Sequence, residues 1–206
     1  MASNFTACLV PALPYAAVAV GVFADAADAV PDGNLAAAKD LIRSLDDAAQ
    51  RGHFNSAIAE GERRDKSAPA LMPAALAKGD RHPTRLPGIT AQRVVFARDG
   101  WRCRWCDTPV IDREATRHMG VDLVGVFPDG NADSRRHGLT LCSSASLDHV
   151  VPHSHGGIND DANFVTACWP CQFGRSNYTI GQMAILDPRD RDPILEQEWD
   201  GCTWFR

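Results

Sequence analysis

The feature that most constrains this chain is a pair of Cys-x-x-Cys turns, Cys103/Cys106 and Cys168/Cys171, with 61 residues between Cys106 and Cys168. Each turn sets two thiols on one tight bend. Together they can close a tetrahedral four-thiolate site at Zn–S distances of about 2.3 Å, which ties two distant parts of the chain to one point. Seven cysteines is an odd number, and in a reducing compartment the paired spacing favours metal over disulfides. A redox dithiol is the competing reading, but neither turn has the strand-helix setting of a thioredoxin. Cys8, Cys142 and Cys202 have no paired neighbour and are read as buried thiols.

The second knuckle ends a crowded stretch, LDHVVPHSHGGINDDANFVTACWPCQ, residues 147–172. A four-thiolate site leaves Asp148, His149, His153, His155 and Asn163 unexplained. An imidazole with pKa near ~6.5 is largely neutral at working pH and can take a proton from water. A carboxylate is the natural ligand for a hard divalent cation. Adjacent strand residues point to opposite faces, so Asp148 and His149 can serve both tasks only where the strand twists or the chain turns.

Helical spacing of Leu35, Ala38, Leu41, Ile42, Leu45 and Ala49, after Asn34 as a cap and before Gly52 as a stop, predicts a helix over about 35–50. With an apolar run near 15–30 and a segment over 55–64, it makes a small helical N-terminal region, 1–66, as a recognition or partner unit. Residues 67–90 carry closely spaced prolines and are read as a linker or an extended arm. A short helix from Thr90 to Arg98 leads into the first knuckle, and strand candidates lie at 120–127 and 138–142. A second strand over 163–166 leads to a helix starting near Trp169-Pro170. The tail, 181–206, is expected to pack its aromatics back on the body.

The order Asp148-His149, Pro152, Gly156-Gly157, Asp160, Asn163, Cys168 and Cys171 resembles the HNH endonucleases, a ββα-metal family. VFARDGWRCRWC, residues 95–106, looks like that family's entry helix and first knuckle. The resemblance covers about residues 91–180, with an insertion at 108–146, and leaves 1–80 untouched. It implies an α+β fold with a structural Zn²⁺ on the four paired cysteines. It further implies His149 as general base, Asp148 as ligand of a catalytic Mg²⁺ or Mn²⁺, and Asn163 as the amide bracing the loop and orienting the base. Gln172 stands where the family usually has His or Asn as the remaining ligand, and offers an amide oxygen on a longer arm. Arg175 stands where Lys is common and can bind phosphate. His153 and His155 are further candidates for the metal or the phosphate.

The formal net charge of −5 argues against a protein that coats nucleic acid without specificity. The charge is uneven, however. Residues 81–180 carry 11 basic and 10 acidic side chains, every basic one is Arg, and Arg81, Arg85, Arg93, Arg98, Arg102 and Arg104 fall within 24 positions. A guanidinium fork suits phosphate. An arginine-rich solvated surface explains the cluster equally well. The apolar run 9–24 is broken by Pro11 and Pro14 and is too short for a bilayer span, so neither signal peptide nor membrane anchor is read and the cytoplasm is the expected compartment. These features converge on a metal-dependent endonuclease acting on DNA, for instance in restriction of foreign DNA, and a homodimer is compatible with them. Two alternatives stand beside it: a non-cleaving, zinc-stabilised module that binds nucleic acid or a partner, and an RNA nuclease.

Overall fold

Two short extended segments, β1 (Ala145–His149) and β2 (Phe164–Cys168), pair antiparallel, with Ala145 opposite Cys168 and His149 opposite Phe164. The computed structural model describes residues 5–67, 75–196 and 198–206. Around the hairpin lie α1 (Ala16–Ala29), α2 (Leu35–Arg43), α3 (Asp47–Ser67), α4 (Ile89–Arg98), α5 (Arg113–Asp122), α6 (Gly138–Ser143), α7 (Trp169–Arg175) and α8 (Ile180–Met183). The fold is α+β, with the ββα unit formed by β1, β2 and α7. No helix among the described residues is long and apolar enough to cross a membrane.

The hairpin is buried because its apolar residues face α4 and the knuckles. Val95, Phe96, Trp101, Trp105, Leu147, Phe164 and Val165 form one core with the four paired cysteines. A second core joins the N-terminal helices to the 108–146 insertion. In α1, Ala16, Ala19, Val20, Phe23, Ala26 and Ala27 recur at helical spacing and are buried. Phe23 meets Phe127 at 5.6 Å and Phe205 at 6.5 Å between ring centroids. Burying a Phe side chain contributes about 1.5–3 kcal/mol, so this contact couples both chain ends to the insertion. In the tail, Phe205 and Cys202 are buried, whereas Trp204 is 48 % exposed.

The long helix α3 lies against α6 and α7. The approach to α7 is close enough that a Cβ on Gly61 would sit 1.8 Å from the Gly174 carbonyl oxygen, so only glycine fits there.

Three expectations need correcting. The helix expected over 35–50 is broken after Arg43, because the Asp46 side chain accepts the Ala49 N–H at 2.9 Å and starts a new helix. Gly52 does not stop that helix, which runs on through Phe54 and Ala57, both buried. The strand candidates at 120–127 and 138–142 are instead the end of α5 with the turn after it, and α6. Met119, Leu123 and Phe127 are buried at four-residue spacing, which is a helical period. The Asp112 and His137 side chains cap the two helices by accepting the N–H of Glu114 and Leu139. Of the lone cysteines, Cys142 and Cys202 are buried but Cys8 is only half-buried.

Candidate metal centre and catalytic cavity

The first knuckle follows α4, and the second spans the end of β2 and the start of α7. Their four sulfurs lie within 4.8 Å of one another, and all four residues are buried. Cys106 and Cys168 sulfurs are 3.6 Å apart, close to the ~3.8 Å edge of a tetrahedron with metal–sulfur bonds of about 2.3 Å. Hydrogen bonds from the other three thiols hold Cys106 well below the usual thiol range. Burial holds Cys168 above it, and hydrogen bonding within the cluster does the same to Cys171. The cluster by itself thus keeps protons that a divalent cation would displace, the chemistry of a metal site.

A cavity of about 210 Å³ opens at the end of the hairpin, lined by Asp148, His149, Pro152, His153, Ser154, Arg175, Ser176 and Asn177 of the ββα unit and by Arg81 and Arg85 from upstream. Asp148 and His149 both face it because β1 ends at His149 and the chain turns. The imidazole stands edge-on to Phe164, its cross-strand partner, at 4.7 Å.

The His149 Nε2 is 3.0 Å from the Asn159 Oδ1, and the Asn159 Nδ2 donates to the Thr84 carbonyl at 2.9 Å. A carbonyl only accepts, so Thr84 fixes which way the amide points, and Asn159 presents its oxygen to His149. The imidazole therefore carries its proton on Nε2 and keeps its Nδ1 lone pair. Burial holds the His149 pKa below the ordinary value. The Asn159 hydrogen bond and Asp148 oppose that shift, while His153 and Arg85 reinforce it.

Asn163 is placed otherwise than as the partner of the base. Its Oδ1 accepts the Val151 N–H at 2.8 Å, and its Nδ2 donates to the carbonyls of Val151 and Ile158. It braces the loop, and the contact with His149 belongs to Asn159. Gly157 makes that brace possible, since a Cβ there would lie 1.8 Å from the Val151 carbonyl oxygen.

Arg175 also differs from a solvent-facing phosphate contact. It is 1 % exposed. Its Nη2 donates to Asp148 Oδ1 at 2.6 Å and to the His149 carbonyl at 2.5 Å, its Nε donates to Asp148 Oδ2 at 3.2 Å, and its Nη1 donates to the Tyr178 carbonyl. Trp105 completes the cage, donating its Nε1 N–H to Asp148 Oδ2 at 3.0 Å while its ring faces the guanidinium. Gln172 donates its Nε2 to the Leu147 carbonyl at 2.9 Å, and its Oε1 accepts no hydrogen bond among the described residues. His153 lines the cavity and donates its Nε2 N–H to the His82 carbonyl at 2.8 Å. His155 lies on the same short turn but is not among the cavity-lining residues.

Sequence reasoning missed Trp105, Asn159 and Asn177, and named Arg81 and Arg85 only as two of six clustered arginines, without placing them in the cavity. The INDDAN run offers two asparagines, and only the fold shows which one reaches His149.

No curated protein and no solved structure matches the chain. Residues 133–172, from the turn before α6 through β1, the loop, β2 and the second knuckle to Gln172, match the family model described as HNH endonuclease, and this stretch of the chain is an HNH domain match laid on the ββα hairpin.

Proposed function

We propose that the chain is a metal-dependent endonuclease that hydrolyses phosphodiester bonds, with DNA as the leading substrate. The HNH match supports nuclease-type chemistry in general. The single observation that carries the finer reading is His149, its Nε2 held by the Asn159 amide oxygen, beside the Asp148 carboxylate in a cavity that Arg81 and Arg85 also line.

In this reading His149 Nδ1 takes a proton from water, and the water oxygen bonds to phosphorus as the P–O3′ bond breaks. The electron pair leaves on O3′, which is protonated from solvent, giving a 5′-phosphate and a 3′-hydroxyl. The Asp148 carboxylate has about four lone-pair sites, three of them filled by Arg175 and Trp105. The remaining site is the protein donor proposed for Mg²⁺ or Mn²⁺, with water and phosphate supplying the others, whereas Gln172, its amide nitrogen held by the Leu147 carbonyl, is not among the residues lining the cavity. Such an ion would neutralise charge on the phosphate and the leaving oxygen. Zn²⁺ on Cys103, Cys106, Cys168 and Cys171 would serve the fold.

The test is incubation of purified protein with plasmid, linear duplex and RNA, each with EDTA, Mg²⁺ or Mn²⁺. Cleavage of DNA that needs the added ion and is lost in His149→Ala, with zinc content unchanged, is the expected result. Retained cleavage in His149→Ala moves the base elsewhere, and preference for RNA replaces the substrate. The caged Asp148 also favours a second reading, a zinc-stabilised module that binds without cleaving, which would bind DNA and cut nothing under any ion.

A further inference from the structure

Residues 75–88 lie along the rim of the cavity and are fastened there at four points. The Leu76 N–H donates to the Ser154 carbonyl at 2.7 Å, His153 to the His82 carbonyl, Asn159 to the Thr84 carbonyl, and the Leu76 methyl Cδ1 packs near Gly156. Two of these fastenings use side chains that surround the base. An arm held only by chance would not engage His153 and Asn159 together.

The arm brings charge as well as contacts. Of the six clustered arginines, four have structural work elsewhere. Arg93 pairs with Asp112 and Glu114, Arg98 with Asp99, and Arg102 with Glu196, while Arg104 donates to the Pro188 carbonyl. Arg81 and Arg85 line the cavity instead. Arg81 gives only its Nε to the Leu76 carbonyl at 2.9 Å, which leaves its two terminal nitrogens without a hydrogen bond to the described residues. Arg85 is exposed, makes no hydrogen bond or ion pair with them, and is close enough to act on the His149 charge. Arg175 cannot take this role, because Asp148 and two carbonyls hold it. A chain with net charge −5 thus sets two uncommitted guanidinium groups beside its proposed base.

We infer that the 75–88 arm is part of the active site, and that Arg85 with Arg81 binds the non-bridging oxygens of the scissile phosphodiester. This rests on the nuclease reading above and names its phosphate-binding residues. Planar forks bind two phosphate oxygens at once and stabilise charge that grows on them as water attacks. Of the four arm contacts to the loop, two are accepted by the His82 and Thr84 carbonyls and two come from Leu76, through its N–H and its methyl. None of them uses the side chain of Arg81 or Arg85, which line the cavity.

The experiment compares the wild-type chain with Arg85→Gln, Arg85→Lys, Arg81→Gln and Arg81→Gln/Arg85→Gln, and uses Arg117→Gln, an exposed arginine that does not line the cavity, as the charge control. Zinc content and melting temperature establish that each variant folds. Cleavage is read on a labelled DNA duplex and on an RNA hairpin of matched length. Binding of the same probes is read across a salt series in the His149→Ala background, where nothing is cut. Removing Arg85 should lower kcat/KM by about 100-fold, the usual loss for one donor to the reacting oxygens, and Arg85→Lys should recover only part of it. The double variant should flatten the slope of log K against log salt by about 1.8, or about 0.9 per lost phosphate contact on duplex DNA. Arg117→Gln should stay within about twofold. If the wild type cuts and the double variant cuts and binds like it, the arm assignment is overturned and the nuclease reading stands. A wild type that cuts neither probe with any ion removes the nuclease reading itself and the arm assignment with it.

Discussion

Replacing Arg175 by Met tests whether that residue serves the fold or the substrate. Met keeps much of the apolar stem and removes the guanidinium. Asp148, 7 % exposed at its side chain, then keeps only the Trp105 N–H, and the His149 and Tyr178 carbonyls each lose a donor. Breaking a buried ion pair from one side costs about 3–5 kcal/mol, because the remaining charge stays buried without compensation. Had Arg175 been a solvent-facing phosphate contact, the same change would cost within about 0.5 kcal/mol. The assay is urea unfolding of the zinc-loaded chain, without added Mg²⁺ or Mn²⁺ to compensate Asp148. Adding Asp148→Asn should recover about 2 kcal/mol of the loss, since the orphaned charge is gone. A cost below about 1 kcal/mol for Arg175→Met, or strict additivity in the double variant, would refute the caged-carboxylate account.

Metal analysis should return about one zinc per chain. Cys171→Ser should lose it and unfold the hairpin end, and a metal-free chain with unchanged melting would overturn the four-thiolate reading. Gly61→Ala should cost about 1–3 kcal/mol in the same urea assay, because the new methyl meets the Gly174 carbonyl, and an unchanged midpoint would mean that α3 and α7 stand further apart. Burial holds the His137 pKa below its ordinary 6.5, and its Nδ1 accepts the Leu139 N–H, so the fold selects the neutral ring. Below pH 6.5 the unfolded chain binds the extra proton first. The stability from this residue is therefore complete above about pH 6.5 and is lost as the pH falls through that value toward the lower folded pKa. Urea midpoints should decline from about pH 7 to about pH 5, less steeply in His137→Asn, and a level wild-type curve would refute the linkage.

How much of the fold was readable follows from how local each signal is. The two knuckles, the Asp148-His149 strand end and the Pro170 helix start are short patterns whose chemistry is fixed by neighbours in sequence. β1 ends at His149 and α7 starts at Trp169 as those patterns place them, while β2, expected over 163–166, runs from Phe164 to Cys168. The segments 120–127 and 138–142 were misread because a short apolar run fits strand or helix equally well. Helix α6 and the buried turn after α5 depend on packing against α1 and α3, as where Cys142 meets the Gln50 carbonyl 92 positions away. Leu35 shows the same limit, sitting on the expected apolar stripe yet 40 % exposed.

The site was legible in its chemistry and illegible in its wiring. A sequence can name His149 as a base, but the group that sets its tautomer is found only when Thr84 and Asn159, 75 positions apart, are seen bonded to each other. The arginine cluster makes the same point. All six guanidinium groups look alike in the sequence, and a phosphate-binding surface and a solvated face are equally good descriptions of them. They are separated by partners 19 residues away for Arg93 and 94 residues away for Arg102, with Arg81 and Arg85 set apart by lining the cavity without an acidic partner. Arg104 has no carboxylate partner either, but it is buried and held by the Pro188 carbonyl. What singles out Arg81 and Arg85 is therefore their place in the cavity lining with nitrogens that no described residue engages, and that is a property of the folded chain.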